Sequence, residues 1–344
     1  MSLFISVIVP VHNGGRFLNH CLAALIASSY QSYEIIVVDD ASTEGRIELS
    51  KRKEVRVFHL AHQSGPAAAR NFGVKQAHGE VLFFVDADVV VKSDTLARVA
   101  KVFLNNSDIS AVFGSYDDDP AEKNFISQYK NLYHHFVHQQ SNSDAQTFWA
   151  GCGAIRREVF SEVGGFDQAR YTKPAIEDIE LGYRMREMGY QILLDKQLQV
   201  KHLKHWRLGS LVRADIFYRA VPWSKLMLEN RVIINDLNVQ IKDRVSAGLA
   251  GLLVVILAAS PFKPQLLFGA PPLVALIIAL NRKLYSFFLN RRGLKFAVLV
   301  FPLQVLYYLY SGVTFVLCWC RHCISTRFRP AQLVGKSPDF RGDA

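Results

Sequence analysis

Asp86-Ala-Asp88 closes the apolar run Val81–Val85 and puts two carboxylates where the run ends, a spacing that could hold a metal and a diphosphate although such a pair is more often a solvated turn. In a strand, residues i and i+2 project to one face, so both carboxylates aim at one point while Ala87 turns away. Paired acids favour a hard divalent cation such as Mg2+ or Mn2+, and the oxygens of a nucleotide diphosphate complete such a shell. Taken alone, two acids at a strand end also fit a solvated turn. A second acidic pair, Glu177-Asp178, begins a stretch with helical spacing. The helix dipole favours acids in a first turn, and a carboxylate placed there is able to take a proton from a hydroxyl nucleophile.

The elements that must position these acids are legible in the patterning. Ile5–Val9, Ile35–Val38, Val55–His59 and Val81–Val85 are short β-branched or apolar runs, and helical spacing fills 16–28 and 67–77 between them. Such alternation predicts a parallel sheet covered on both faces, with ligands at the carboxyl ends of its strands. Asn13, Asp39, Asp40, Asp86 and Asp88 all follow strand ends and converge on one cleft in this reading. Strands are predicted over 111–116 and 147–155, and a helix over 176–188. Asp117-Asp-Asp119 reads as a solvated turn. His134, His135 and His138 lie among aromatics in 125–140, a spacing that suits packing or acceptor lining better than zinc.

The net charge of +10 over 344 residues is uneven. Residues 1–200 hold 20 Lys and Arg against 24 Asp and Glu, whereas residues 201–344 hold 20 against 6. The basic half is interleaved with the apolar stretches 245–260, 265–280 and 296–320, so an anionic bilayer, and not nucleic acid, is the expected partner. The first two stretches are short for a hydrocarbon core of about 30 Å, and Pro271-Pro272 interrupts the second. An integral, multi-pass protein with two or three spans is expected. Arg282, Lys283, Arg291 and Arg292 place the 281–293 connection, and with it the N-terminal domain, in the cytoplasm. The aromatic and basic stretch 206–235 has the composition of helices lying at a membrane interface. Five cysteines without an even framework imply no disulfide scaffold. Met1–Val11 reads as a strand and not a signal peptide.

Four blocks appear in order within the first 90 residues: Ser6-Val-Ile-Val-Pro-Val-His-Asn13, Glu34-Ile-Ile-Val-Val-Asp-Asp-Ala-Ser42, Gly65-Pro-Ala-Ala-Ala-Arg-Asn-Phe-Gly73 and Asp86-Ala-Asp88. With Gly164-Gly-Phe-Asp167 and Glu177-Asp-Ile-Glu-Leu-Gly-Tyr-Arg184, they resemble family 2 glycosyltransferases of the GT-A fold over residues 3–205. The resemblance implies a Rossmann-like α/β catalytic domain at 1–205 with a mostly parallel, mixed sheet. Amphipathic interface helices at 206–244, a transmembrane region at 245–320 and a basic tail at 321–344 are expected to follow.

The resemblance also implies roles. Pro10, His12, Asn13 and Asp40 line the nucleoside pocket, with Asp40 on uracil or, alternatively, capping the next helix; Asp39 is structural. Arg70 points at the nucleotide. Asp88 binds the Mg2+ or Mn2+ most directly, and Asp86 reaches ribose or a metal-bound water. His202, ranked above His205, completes the shell. Asp178 is the catalytic base, and Glu177 positions it or contacts the acceptor. Trp149-Ala-Gly-Cys-Gly153 forms the floor under the sugar, with Gly151 and Gly153 allowing close backbone approach. The activity implied is inverting transfer of one sugar from a nucleotide-sugar donor, expected to be UDP-linked, to the hydroxyl of a lipid or lipid-linked acceptor, as in assembly of a cell-envelope glycan. A polyprenyl-phosphate glycosyltransferase is the alternative. A processive polysaccharide synthase is disfavoured because Q-x-x-R-W is absent, and a non-catalytic nucleotide-binding scaffold because both acidic pairs are intact.

Overall fold

The computed structural model describes residues 2–44, 55–230, 237 and 239–327. Eight strands form one sheet: β1 (Ile5–Val11), β2 (Tyr33–Asp39), β3 (Val55–His59), β4 (Val81–Val85), β5 (Val89–Val90), β6 (Ile109–Tyr116), β7 (Cys152–Arg156) and β8 (Gln191–His202). Their order is β3-β2-β1-β4-β7-β6-β8-β5. The first four run parallel, β7 is antiparallel to β4 and β6, and β8 is parallel to β6. The predicted mixed, mostly parallel α/β sheet is therefore present. The strand expected over 147–155 begins only at Cys152, because residues 147–151 form the turn that leads into it.

Alternation within buried strands creates two cores. Val7, Val9, Ile35, Val37, Phe83 and Val85 face one side of the sheet, where they meet Leu18, Leu22 and Leu25 of α1 (Gly15–Ile26) and Leu96 and Val99 of α3 (Thr95–Asn105). Ile8, Ile36, Val38, Leu82 and Phe84 face the other side. There they pack under α2 (Pro66–Gln76), α5 (Arg157–Val163) and α6 (Glu177–Glu187). Burying each aromatic or branched side chain contributes roughly 1.5–3 kcal/mol. Helix α2 sits unusually close to the sheet: a Cβ on Gly73 would come within 2.6 Å of Ile8 Cγ2. Pro66 opens that helix at a position where its missing N–H costs nothing.

A third core joins the sheet domain to the C-terminal helices. Tyr129, Leu132, Tyr133 and Phe136 of α4 (Phe125–Gln140) pack against Leu284, Phe288, Val300, Tyr307 and Tyr308. Two histidines of α4 meet the sheet instead: His135 and His138 contact the β6 carbonyls of Tyr116 and Gly114 at 2.8 and 3.0 Å.

After β8 come α7 (Leu208–Arg213), a π-helical turn Ala214–Ala220, and α8 (Val221–Asn230). This segment, expected at a membrane interface, turns Trp206, Trp223 and Leu226 into the protein, while Phe217 is 63% exposed. Arg231, counted with it, lies outside the described residues.

Helix α9 (Ile241–Ala259), a 3-10 turn Pro264–Gly269, α10 (Ala270–Leu280) and α11 (Arg282–Arg327) complete the described chain. Gly293 breaks α11 with φ 80° and ψ 175°, a conformation that favours glycine. Among the described residues one helix, Arg282–Ser325, is long and apolar enough to cross a membrane. The multi-pass expectation finds no support beyond it. Lys242, Asp243 and Arg244 occupy the first turn of α9 and leave an apolar remainder of about 22 Å, and α10 spans about 16 Å. The 281–293 connection is helical, and its arginines reach the sheet domain: Arg291 pairs with Asp118 at 2.6 Å and Arg292 donates to Gln128 at 2.8 Å. Most of the basic tail at 321–344 lies outside the described residues.

Candidate active site

The carboxyl ends of β1, β2 and β4 meet the N-termini of α2 and α6, as the strand pattern predicts. At their centre is Arg70, 4% exposed, whose guanidinium donates to Asp86 Oδ1 and Glu177 Oε1, each at 2.8 Å. One cation thus ties the end of β4 to the start of α6. The expected nucleotide-facing arginine is already held by two protein carboxylates, although its buried Nε has no partner among the described residues. The second Glu177 oxygen accepts from Ala175 N–H at 3.0 Å, so both of its oxygens are engaged by the protein.

Asp178, adjacent, contacts no cation directly. Its oxygens accept from the N–H groups of Ala150 and Ile179 at 3.0 and 2.9 Å. Burial, and then the neighbouring Glu177 charge, push its pKa up to about 7 against those hydrogen bonds and Arg70. A carboxylate with that pKa suits proton transfer near neutrality.

Asp88 has a different partner. The two-residue strand β5 pairs antiparallel with the end of β8, which sets Val89 opposite His202. His202 Nε2 lies 3.5 Å from Asp88 Oδ2, and Leu203 N–H donates to the Asp88 carbonyl at 2.8 Å. Burial works against the Asp88 anion, but the charge and hydrogen bond of His202 outweigh it and hold the pKa below its usual value. His205 points elsewhere, pairing with Glu122 at 2.8 Å. His202, and not His205, is thus the histidine beside Asp88. His202 is the last residue of β8.

Among the described residues no three His, Cys, Asp or Glu side chains group as a complete metal site. Asp88 and His202 supply two donors, at a spacing slightly wider than the roughly 3 Å edge of an octahedral shell with bonds of about 2.1 Å. Asp86, expected to share the metal, has one oxygen committed to Arg70.

The residues expected around the nucleoside organise one another. Asp40 accepts from Ser64 and Gly65 N–H at 2.7 and 2.8 Å, which fixes the loop entering α2 and engages both carboxylate oxygens. Asp39 is structural as expected, accepting from Ser42 N–H at 3.0 Å and contacting His59 at 2.9 Å. His12 Nδ1 lies 2.8 Å from the Asp40 carbonyl. Asn13, at φ 51°, accepts from Thr43 N–H at 2.8 Å. Pro10 is buried in β1. Gly151 and Gly153 admit neighbouring aromatics: a Cβ on Gly151 would stand 2.5 Å from the Trp149 indole, and one on Gly153 2.6 Å from the Phe148 ring.

Sequence reasoning missed Tyr116. Its ring stacks on His202 at 4.1 Å with an 8° interplanar angle and is flanked by His134 at 4.2 Å and Trp149 at 5.0 Å. The available signal was its place at the end of an apolar strand, on the same edge as the acids.

Residues 6–164 match the family model described as Glycosyl transferase family 2. The chain is 35% identical over 131 residues to glycosyltransferase GlyG of Streptococcus pneumoniae serotype 4, a match covering 36% of this chain and 43% of GlyG. It is 37% identical over 107 residues to an uncharacterized glycosyltransferase of Haemophilus influenzae, covering 30% of this chain and 43% of that protein. These matches span less than half the length of either relative. A solved mannosyltransferase, PcManGT from Pyrobaculum calidifontis in complex with GDP-Man and Mn2+, aligns with a TM-score of 0.49 at 19% identity, covering 92% of this chain and 88% of that one. Glu177, Asp178 and His202 lie beyond the residues matched by the family model.

Proposed function

We propose that this enzyme, whose residues 6–164 form a family 2 glycosyltransferase domain, moves a single sugar from a nucleotide-sugar donor to a hydroxyl of a lipid or lipid-linked acceptor, with inversion. The observation that carries the reading is the division of labour between two acidic pairs. Arg70 ties Asp86 to Glu177, Asp88 is paired with His202, and Asp178 is held by backbone N–H groups with its pKa pushed up to about 7.

In this reading the acceptor oxygen attacks the anomeric carbon from the Asp178 side, and the hydroxyl proton passes to a free lone pair of the Asp178 carboxylate. The bond to the diphosphate oxygen breaks on the opposite face, and its electron pair leaves with the nucleotide. The carboxylate of Glu177 beside Asp178 favours the protonated product of that transfer. Asp88 and His202, with Asp86 adjoining, are the residues that would hold Mg2+ or Mn2+. Such an ion neutralises charge building on the departing diphosphate. Pro10, His12, Asn13 and the Asp40 loop form the strand-end rim on which the nucleoside would rest, and Gly151 and Gly153 keep Trp149 folded beneath the sugar. A UDP-linked donor is the first to test.

Asp178 also bears on the acceptor. A phosphate acceptor is already ionised and has little use for a base, whereas a hydroxyl requires one. Membrane attachment is supported by the long apolar helix and by exposed apolar side chains such as Val313 and Leu317 on it. A cytoplasmic catalytic domain is consistent with Arg291 and Arg292 contacting it.

The deciding experiment is a screen of nucleotide sugars with purified full-length protein in lipid and Mn2+, followed by mass spectrometry of extracted lipids. A labelled lipid is expected. Absence of metal-dependent turnover with every nucleotide sugar would sink the enzymatic reading, and full activity in Asp178→Asn would redirect it to a phosphate acceptor.

A further inference from the structure

A cavity of about 590 Å3 lies between the sheet domain and the C-terminal helices, within the range common for small-molecule sites. Trp223 and Met227 of α8, Gly248 and Gly251 of α9, and Tyr308 and Val316 of α11 form its walls. Its two ends differ. Toward the outside, the lining residues Val313, Val316 and Leu317 are 56%, 53% and 63% exposed, and they belong to the helix that is apolar enough to cross a membrane.

The inner end is polar. Lys130 and Arg219 both donate to Asp215 Oδ1, at 2.7 and 2.8 Å, and Tyr310 donates to Asp215 Oδ2 at 2.7 Å. Two cations share one buried carboxylate, which leaves an excess of one positive charge. Asp243 and Arg244, the other charged residues lining the cavity, cancel. This end also faces the acceptor side of the candidate site. Trp223 Nε1 donates to Tyr183 at 2.9 Å, and Tyr183 lies on α6, the helix that begins with Glu177-Asp178. Arg219 interacts electrostatically with Asp178 and Tyr116.

An apolar chamber that opens where lipid would be, with net positive charge toward a catalytic base, fits an amphiphile bearing an anionic group next to its chain. We propose that the cavity holds the chain of a lipid acceptor, with a phosphate of that lipid meeting Arg219 and Lys130, so that the acceptor hydroxyl beyond the phosphate reaches Asp178. The inference rests on the glycosyltransferase reading above and adds the acceptor's class and route of entry.

The probe is ω-bromododecyl phosphate, whose bromine quenches tryptophan emission, added to detergent-solubilised full-length protein. The comparator is ω-bromododecyltrimethylammonium. Saturable quenching by the phosphate is expected at a concentration at least about tenfold lower than for the ammonium. Gly248→Leu fills the cavity, because a Cβ there meets nothing within 4 Å, and it replaces a helical glycine with a better helix former. This variant is expected to fold and to weaken phosphate binding about tenfold or more. Equal affinity for the two headgroups, or unchanged affinity in Gly248→Leu, overturns the proposal. UDP binding with Mn2+ is read on the same wild-type preparation. Probe binding without UDP binding would count against the glycosyltransferase reading and leave the cavity's lipid assignment standing; UDP binding without probe binding would do the reverse.

Discussion

Replacing Asp178 with Asn tests the site through two readouts that move in opposite directions. The wild-type carboxyl has its pKa raised from 3.8 to about 7, by burial first and the Glu177 charge second. If Asp178 is the base, kcat/KM for sugar transfer falls below neutrality, with about one tenth of the molecules ionised at pH 6 and about nine tenths at pH 8. Asp178→Asn removes that limb and lowers kcat by about 100- to 10,000-fold at pH 8. Stability behaves otherwise. A carboxyl whose folded pKa is raised favours the folded state in its protonated form, and that contribution is fully present below about pH 3.8 and lost as pH rises through about 7. Each pH unit in that interval corresponds to about 1.4 kcal/mol, so the buried anion costs up to about 4 kcal/mol at pH 8. Asn carries no charge and escapes this cost, while losing part of the bonding to Ala150 and Ile179 N–H. The expected net result is a variant more stable than wild type by about 1–3 kcal/mol at pH 8, with the difference vanishing toward pH 5. Thermal unfolding at the two pH values and initial rates from pH 5.5 to 8.5 provide the measurements. A wild-type rate profile that is flat across pH 6–8, together with an Asn variant destabilised equally at both pH values, would refute the base assignment and the electrostatics behind it.

Further substitutions probe the remaining parts. Arg70→Met strands Glu177 and Asp86 without their cation and is expected to cost about 3–5 kcal/mol in chemical unfolding, whereas a cost within about 1 kcal/mol would show that the three-way contact is dispensable. His202→Ala is expected to weaken Mn2+ binding in the presence of UDP by about tenfold or more, read by electron paramagnetic resonance, while His205→Ala changes it less than about twofold. Gly65→Ala adds a Cβ 2.5 Å from the Thr172 carbonyl oxygen at φ 88°; a loss of about 1–3 kcal/mol is expected, with the Asp40-held loop loosened and UDP affinity reduced in calorimetry.

Much of the domain was legible because buried parallel strands write themselves as continuous apolar runs. Val81–Val85 predicted both β4 and the placement of Asp86 and Asp88 at its end, and Glu177-Asp178 does open a helix. Contacts made across long sequence separations were not legible. Nothing in Val89-Val90 announces a strand, yet its pairing with β8 is what brings His202 to Asp88. Arg70 read as a nucleotide ligand because its two carboxylate partners come from other elements. Composition at 206–235 did not say which aromatics turn inward: Trp206 and Trp223 are buried and Phe217 is exposed, a distinction set by the neighbouring helices. Apolar length alone did not show where the helices begin: the first turn of α9 holds Lys242, Asp243 and Arg244, ahead of the apolar stretch 245–260.

The contact between Arg70 and Glu177 joins residues 107 positions apart. A chain leaving the ribosome folds N-terminal units first, at roughly 5–20 residues per second. The four parallel strands and α2 have therefore all been made while Arg70 still has only Asp86 to meet, and α6 emerges several seconds later. During that interval the strand ends proposed to take the nucleotide have been made and the proposed base, Asp178, has not. Newly made protein is expected to bind nucleotide before it is able to transfer sugar, and a nascent chain stalled before Glu177 should be protease-sensitive around α2 and gain protection once α6 has emerged.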